Sequence, residues 1–280
     1  MSEYKIAIVT GANKGLGFAI VKGLCQNFKG SVYLTSRNED RGKNACQELQ
    51  KLGYTPQYYQ LDVTDEKSVF NLCSFLKSRK IDLLINNAGV LFLKDSKESK
   101  INQAEQTLLI NFFALVNFTE AILPFMNDHS TILNISSSSG HLSRIPSEKL
   151  RKEISNPNLS LTDLKSLMKK YIDSVKFNRE ILDGWGDSPY VVSKVGLNAY
   201  TFILNRRFKE RGILVNCVHP GYVMSDMTRG AGTVSPEQAA EVVMKLALTP
   251  ETGGLYVWHN GDTVPWDGPD PRGYIDGKPL

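Results

Sequence analysis

The chain has 280 residues, 41% of them hydrophobic, and carries 33 Lys and Arg against 29 Asp and Glu, a formal charge of +4. That length and apolar content suit one large domain with a well-buried core, residues 1–280. The basic residues are scattered, which excludes the clustered positive face that a nucleic-acid binder needs.

Near the N-terminus the apolar run from Ile6 to Thr10 is five residues long, too short for a signal segment, and the chain does not begin as a myristoylation site. No later stretch reaches membrane-spanning length, so no membrane partner is expected. Cys25, Cys46, Cys73 and Cys217 have irregular spacing and no CxxC pair. They are read as reduced, buried thiols of a cytoplasmic protein, without a disulfide framework.

The runs KIAIVT (5–10), SVYLTS (31–36), PQYYQLDV (56–63), IDLLIN (81–86), TILNIS (131–136), ILVNCV (213–218) and GLYVWH (254–259) are β-rich and separated mostly by helix-length segments. They predict an α/β chain of the Rossmann type, with a doubly wound, seven-stranded parallel sheet. Several runs are apolar throughout, as strands covered on both faces should be. Right-handed crossovers then place helices on both sides.

In chain order, the first feature with chemistry is the turn after KIAIVT, where Gly11, Gly15 and Gly17 stand between a strand and an amphipathic helix. Such a turn lets backbone approach a pyrophosphate at a helix N-terminus. Gly15 is followed by Leu16 rather than Lys, which excludes a Walker loop. The second strand ends at Ser36 and Arg37, where an NAD site would place an acid for the ribose hydroxyl. A guanidinium there can clasp a 2′-phosphate, and Lys14 adds a second charge, so NADPH is predicted over NADH.

Two regions break the strand–helix rhythm. About fifty residues, an insertion at about 141–187, separate TILNIS from SPYVVSKVG. Within it Leu164, Leu167, Met168, Tyr171, Ile172 and Val175 follow helical spacing and predict an amphipathic helix. The tail GDTVPWDGPDPRGYIDGKPL, about 261–280, is too rich in Gly and Pro for regular structure and is expected to drape over the surface or be disordered. Tyr190 and Lys194, four apart in SPYVVSKVG, by themselves suggest no more than one turn of a surface helix. The histidines at 129, 141, 219 and 259 show no ligand spacing, so no metal is expected, and no GxSxG elbow marks a hydrolase.

Taken in order, TGANKGLG, LDV with Asp62, NNAG at 86–89, Asn111 in LLINFFALV, NISS, YVVSK and HPGYVMSDM resemble the short-chain dehydrogenase/reductase family. The resemblance runs from residue 5 to about 260. The long insertion, LTSRNEDRG and INFFALV resemble its NADPH-dependent carbonyl reductase branch, and similar insertions occur in plant terpenoid and alkaloid reductases.

The resemblance implies a catalytic set of Asn111, Ser137, Tyr190 and Lys194. Tyr190 would donate the proton, Ser137 would hold the substrate oxygen, and Asn111 would hold a water that links the lysine to solvent. Ser136 and Ser138 remain alternatives to Ser137 in the run of four serines. Lys194, together with Ser188 as N-cap and Pro189 at the first helical position, is expected to lower the Tyr190 pKa. Implied cofactor contacts are Gly11, Asn13, Lys14, Gly15, Leu16, Gly17, Arg37, Asp62, Val63, Asn87, Ala88, Gly89, Tyr190, Lys194, Pro220, Gly221, Val223 and Ser225. Ser225 stands where the family usually has Thr. Ser137, Tyr190 and Tyr222 are the implied substrate contacts, and residues 90–96 would help shape the pocket. The expected partner is a small carbonyl compound, and the insertion is expected to cover the face through which many relatives form tetramers, leaving a monomer. A reductase dedicated to one terpenoid or steroid ketone and a non-catalytic NADPH-binding regulatory protein are the alternatives.

Overall fold

The computed structural model describes residues 5–275 and 278–279. Residues 1–4, 276–277 and 280, at the ends of the expected 1–280 domain, lie outside the described residues. Seven strands form one parallel sheet: β1 (Lys5–Val9), β2 (Gly30–Ser36), β3 (Gln57–Gln60), β4 (Ile81–Asn86), β5 (Met126–Ile135), β6 (Leu214–His219) and β7 (Tyr256–Trp258). Their order is β3-β2-β1-β4-β5-β6-β7. The chain therefore reverses direction across the sheet between β1 and β4, the position where a doubly wound sheet opens a crevice beyond its strand ends.

Helices α1 (Gly15–Asn27), α2 (Glu39–Lys51) and α9 (Pro236–Leu248) supply one apolar layer, in which Ile20, Leu24, Leu49 and Val243 bury against Val9 and Leu34. The opposite layer holds α3 (Glu66–Phe75), α4 (Lys100–Leu108), α5 (Leu115–Ile122) and α8 (Pro189–Arg207). The insertion contributes α6 (Glu148–Ile154) and α7 (Leu161–Lys176) to this layer. Ser147 and Ser160 cap these two helices, accepting from the N–H groups of Leu150 and Asp163. The α7 stripe packs on α8 and α4, with Leu164, Leu167, Met168, Tyr171 and Val175 buried as the spacing predicts. Close approach is possible because Gly196 on α8 faces Met168; an added Cβ there would lie 2.6 Å from its sulfur.

Four expectations need correction. The apolar run Lys100–Phe125 is long and apolar enough to cross a membrane by length and composition, although 56% of its most apolar window is buried inside the protein. The expected strand at 56–63 leaves the sheet after Gln60, because Asp62 turns the chain by accepting from the N–H and hydroxyl of Thr64 at 2.9 and 2.6 Å. Most consequentially, the Gly/Pro-rich tail enters the interior: Val264, Trp266 and Asp270 are buried. Trp266 has an indole N–H and a ring to place, and its position against Phe202 satisfies both. Beyond it β8 (Tyr274–Ile275) and β9 (Lys278–Pro279) pair antiparallel. All four cysteines are free, but Cys25 and Cys73 are only half-buried.

If the insertion unfolds together with the sheet, Leu164→Ala, which empties a fully buried site on α7, will lower global stability by about 2–5 kcal/mol. Denaturant titration followed by Trp fluorescence and by circular dichroism checks this. A separate early transition would show that the insertion is an independent unit.

Candidate active site

The glycine turn between β1 and α1 is shaped by what surrounds it. Gly11 has φ +61°, and a Cβ there would lie 2.9 Å from Ala88 Cα. At Gly17 a Cβ would lie 2.5 Å from Asn87 Nδ2 and 2.8 Å from Ala12 Cα. Asn87 fastens the turn by donating from its side-chain amide to the carbonyls of Thr10 and Gly11 at 2.9 and 3.0 Å. In return Thr10 Oγ1 accepts from the N–H groups of Asn87 and Ala88, both at 3.0 Å. Thr10 opens the TGANKGLG motif, but its role as a tie between the glycine turn and Asn87 and Ala88 is a signal only once β1 and β4 are known to be neighbours.

Lys14 is the N-cap of α1 and contributes no side-chain capping bond, so the first amides of the helix are not satisfied by a cap. Asn13 and Leu16 are half-buried on the same turn. This cradle of close backbone and free helix amides fits a pyrophosphate. Arg37 follows β2 with its side chain exposed and its carbonyl accepting from Gln60 Nε2. Asp62 and Val63, half-buried after β3, lie next along the strand ends.

Lys14 itself does not stand free: its ammonium pairs with Asp226 at 2.5 Å. Asp226 belongs to the loop after β6, which also carries Pro220, Gly221, Tyr222, Val223 and Ser225. Ser225 approaches the glycine turn, 3.8 Å from where a Gly15 Cβ would be. A second exposed pair, Arg229 to Asp95 at 2.5 Å, ties the same loop to the segment after β4. Hydrogen bonds from Lys14 and from Arg229 hold the carboxyls of Asp226 and Asp95 below the usual carboxylate range. Between these loops lies a groove of about 510 Å³, lined by Leu91, Phe92, Leu93, Met227 and charged neighbours. Residues expected to shape the pocket line it, whereas Tyr222 does not, and neither do Ser137 and Tyr190.

The candidate catalytic residues converge beyond the end of β5. Ser188 caps α8, accepting from Val191 N–H at 3.3 Å, and Pro189 opens the helix, so Tyr190 lies in its first turn. Lys194 Nζ donates to Ile135 O at 2.8 Å and stands 5.6 Å from the Tyr190 ring centre. Ser136 donates to Asn198 Oδ1 at 2.6 Å, and Ser138 accepts from Arg272, so both hydroxyls are engaged away from Tyr190. Ser137 is the serine whose hydroxyl acts on Tyr190, favouring its charged form. Asn111 lies in a π-helical segment, Leu109–Ala114, between α4 and α5. Its amide bonds both backbone groups of Val90, at 2.8 and 2.9 Å, and donates to Ser193 Oγ at 3.2 Å, next to Lys194. Gly89 leaves room for it, since a Cβ there would meet Asn111 Oδ1 at 3.2 Å. Ser193 and Asn198 are supports that the motifs did not disclose.

The electrostatics differ from expectation. Burial raises the Tyr190 pKa above its ordinary value, and the Ser137 hydroxyl opposes that only in part. Lys194 turns its ammonium toward the Ile135 carbonyl, and burial lowers its own pKa from 10.5 to about 8. Desolvation therefore disfavours the charged form of each partner.

Residues 5–147 match the short chain dehydrogenase family. The chain belongs to that family. Among curated family relatives, mouse carbonyl reductase [NADPH] 3 is 41% identical over 88% of this chain and 91% of its own length. Pig carbonyl reductase [NADPH] 1 is 36% identical, over 89% of each chain. Among solved structures, salutaridine reductase from Papaver somniferum superposes with a TM-score of 0.83 at 29% identity, covering 90% of this chain and 99% of its own. Menthone neomenthol reductase from Mentha piperita gives a TM-score of 0.78 at 26% identity, with 91% and 99% covered. Both solved reductases thus share the overall fold of this chain.

The lowered Lys194 pKa has a thermodynamic signature. Between pH 8 and 10.5 the unfolded lysine binds more protons than the folded one, so stability rises with pH across that window. Relative to Lys194→Met, the wild type should gain about 2–3 kcal/mol from pH ~8 to ~10.5, at about 1.4 kcal/mol per unit of pKa. Urea titrations of both proteins at the two pH values provide the comparison, and a constant difference would contradict the shift.

Proposed function

We propose that the chain reduces carbonyl compounds, namely ketones, aldehydes or quinones, to alcohols with NADPH. The observation that carries this reading is the meeting of Ser137, Tyr190, Lys194 and Asn111 beyond the β5 end, on the same side of the sheet as the glycine turn. NADPH would supply the hydride, held by the glycine cradle and the α1 amides, with Asn87 to Gly89 and the loop from Pro220 to Ser225 beside it.

The residues of the chain supply the rest. Ser137 and Tyr190, whose hydroxyls act on each other, would both reach the substrate oxygen, Ser137 steadying the negative charge that develops there. Tyr190 delivers its phenolic proton to that oxygen. A phenol kept protonated by burial is suited to donate, and its recharging follows through Lys194 and the polar connection from Ser193 to Asn111. Arg37 would hold the 2′-phosphate; for Lys14 to join it, the pair with Asp226 must open.

The same reading makes the protein a cytoplasmic monomer of one domain; the cover of α8 and α4 by α7 supports the monomer alone. A reductase dedicated to one metabolite is the second reading, supported by the likeness to salutaridine and menthone reductases. A purely regulatory NADPH binder is the least supported, because both Tyr190 and Lys194 are retained.

Purified protein should oxidise NADPH with a panel of quinones, diketones, aromatic aldehydes and cyclic terpenoid ketones; a single accepted class would select the dedicated reading. Tyr190→Phe should lower kcat by at least about a thousandfold, at the upper part of what a positioned acid contributes, with NADPH binding by fluorescence nearly unchanged. Arg37→Ala should reduce the NADPH/NADH preference by about tenfold or more, the worth of a charge-assisted bond. An unchanged preference would remove Arg37 from the phosphate site.

A further inference from the structure

Ser137 is also held through its backbone. Its own carbonyl accepts from the Tyr256 hydroxyl at 2.7 Å, and Tyr256, on β7, is 1% exposed. The segment that follows β7 holds the residues after Ser137 one by one. Trp266 donates its indole N–H to Gly140 O at 2.6 Å, and its carbonyl accepts from Leu142 N–H at 3.1 Å. Arg272 donates to Ser138 Oγ. Asp270 accepts from Ser143 Oγ at 2.8 Å and from Arg144 Nε at 3.3 Å. His141 Nε2 lies 3.0 Å from Pro265 O; burial lowers its pKa, so a neutral ring donating to that carbonyl fits the geometry.

These bonds reach every residue from Ser137 to Arg144 except Ser139, and all but the one from Tyr256 come from a stretch whose composition alone suggests no structure. On the other face α8 binds the same loop, through Lys194 to Ile135 and through Asn198 to Ser136 and Gly140. The loop is thus set between a helix that carries the proton donor and a C-terminal strap.

We infer that the C-terminal segment Tyr256–Arg272 is a positioning clamp for Ser137, with Tyr256 its principal residue, so that the oxyanion-holding hydroxyl is aimed from β7 and the tail as well as from β5. The inference rests on the reading of Ser137 as the group that holds the substrate oxygen. Its physical content is that the Ser137 carbonyl is held by two donors, the Gly140 N–H of its own loop at 2.8 Å and the Tyr256 hydroxyl at 2.7 Å, of which only Tyr256 ties it to the rest of the fold. Ser137 has an extended backbone, φ −160° and ψ 160°, and fixing its carbonyl fixes the peptide plane that sets where Oγ points. Loss of the Tyr256 donor leaves that plane held only by the Gly140 N–H, so Oγ, which accepts from Ser139 N–H at 3.1 Å, loses its fixed aim. Misplacement of a catalytic group by about an ångström is enough to slow a reaction substantially.

The experiment uses Tyr256→Phe, which removes one hydroxyl, and Trp266→Phe, which keeps a ring and removes the N–H. Hydrogen exchange by mass spectrometry on the full-length protein should show faster exchange of amides 138–144 in both, with α1 and the glycine turn unchanged. Steady-state kinetics of Tyr256→Phe should show kcat down by about tenfold, a change of ~1.4 kcal/mol in barrier, with KM for NADPH unaltered. The decisive readout is a double-mutant cycle: in a Ser137→Ala background, where no hydroxyl remains to aim, Tyr256→Phe should cost nothing further in kcat. An equal proportional loss in both backgrounds would make Tyr256 a packing residue and overturn the inference, as would unchanged exchange in both variants. Absence of carbonyl turnover in the wild type would instead overturn the reading of Ser137 on which it rests.

Discussion

One hydrogen bond organises the site: the Lys194 ammonium donating to the Ile135 carbonyl at the last residue of β5. It joins the helix that carries Tyr190 to the strand that delivers Ser137, and it does so from a lysine that is 6% exposed. A buried ammonium is costly, and the depressed pKa is the measure of that cost. The sheet makes the geometry possible by placing the C-terminal ends of β1, β4, β5 and β6 side by side. Chemistry written in four distant stretches of sequence thereby shares one edge.

Around this edge the polar groups of the interior are used in layers. Asn86 donates to Thr119 and Asn134, and Asn134 to Thr201, crossing from β4 to β5 and on to α8 beneath the site. Above them Asn111, Ser193 and Asn198 connect the helices to the loops. Such buried networks fix register more than they add stability, since each group gave up water to join. The cluster of Asp270, Arg144 and His141 works in the same way at the tail, where a charge pair would be a weak stabiliser but a strong determinant of which loop sits where.

Much of this was legible in the sequence because it rests on local pattern. Uniformly apolar strands, glycine spacing and the Ser188–Pro189 helix start are one-dimensional signals, and all seven strands stand where those signals place them, within a few residues. The serine run was ambiguous because choosing among Ser136, Ser137 and Ser138 depends on partners, Asn198, Tyr190 and Arg272, that lie 50 or more residues away in the chain. The tail was misjudged for a related reason. Gly and Pro report that no repeating hydrogen-bond pattern forms, but they say nothing of whether Trp266 finds a pocket or Asp270 a partner. The sign of the Tyr190 shift was hidden too, since spacing reveals a neighbouring lysine but not how much water both have lost.

The π-helical segment has a consequence for how this protein's own sequence is perceived. One wide turn carries an extra residue, and each residue advances a helix by about 100°. The side of α5 that meets the core is therefore rotated relative to the side of α4 that does. Summed along the whole run from Lys100 to Phe125, two successive stripes at different azimuths blur into a cylinder that looks greasy all round, which is how a membrane span also reads. The wide turn that seats Asn111 against Val90 and Ser193 thus lies inside a core helix whose length and composition would also suit a bilayer.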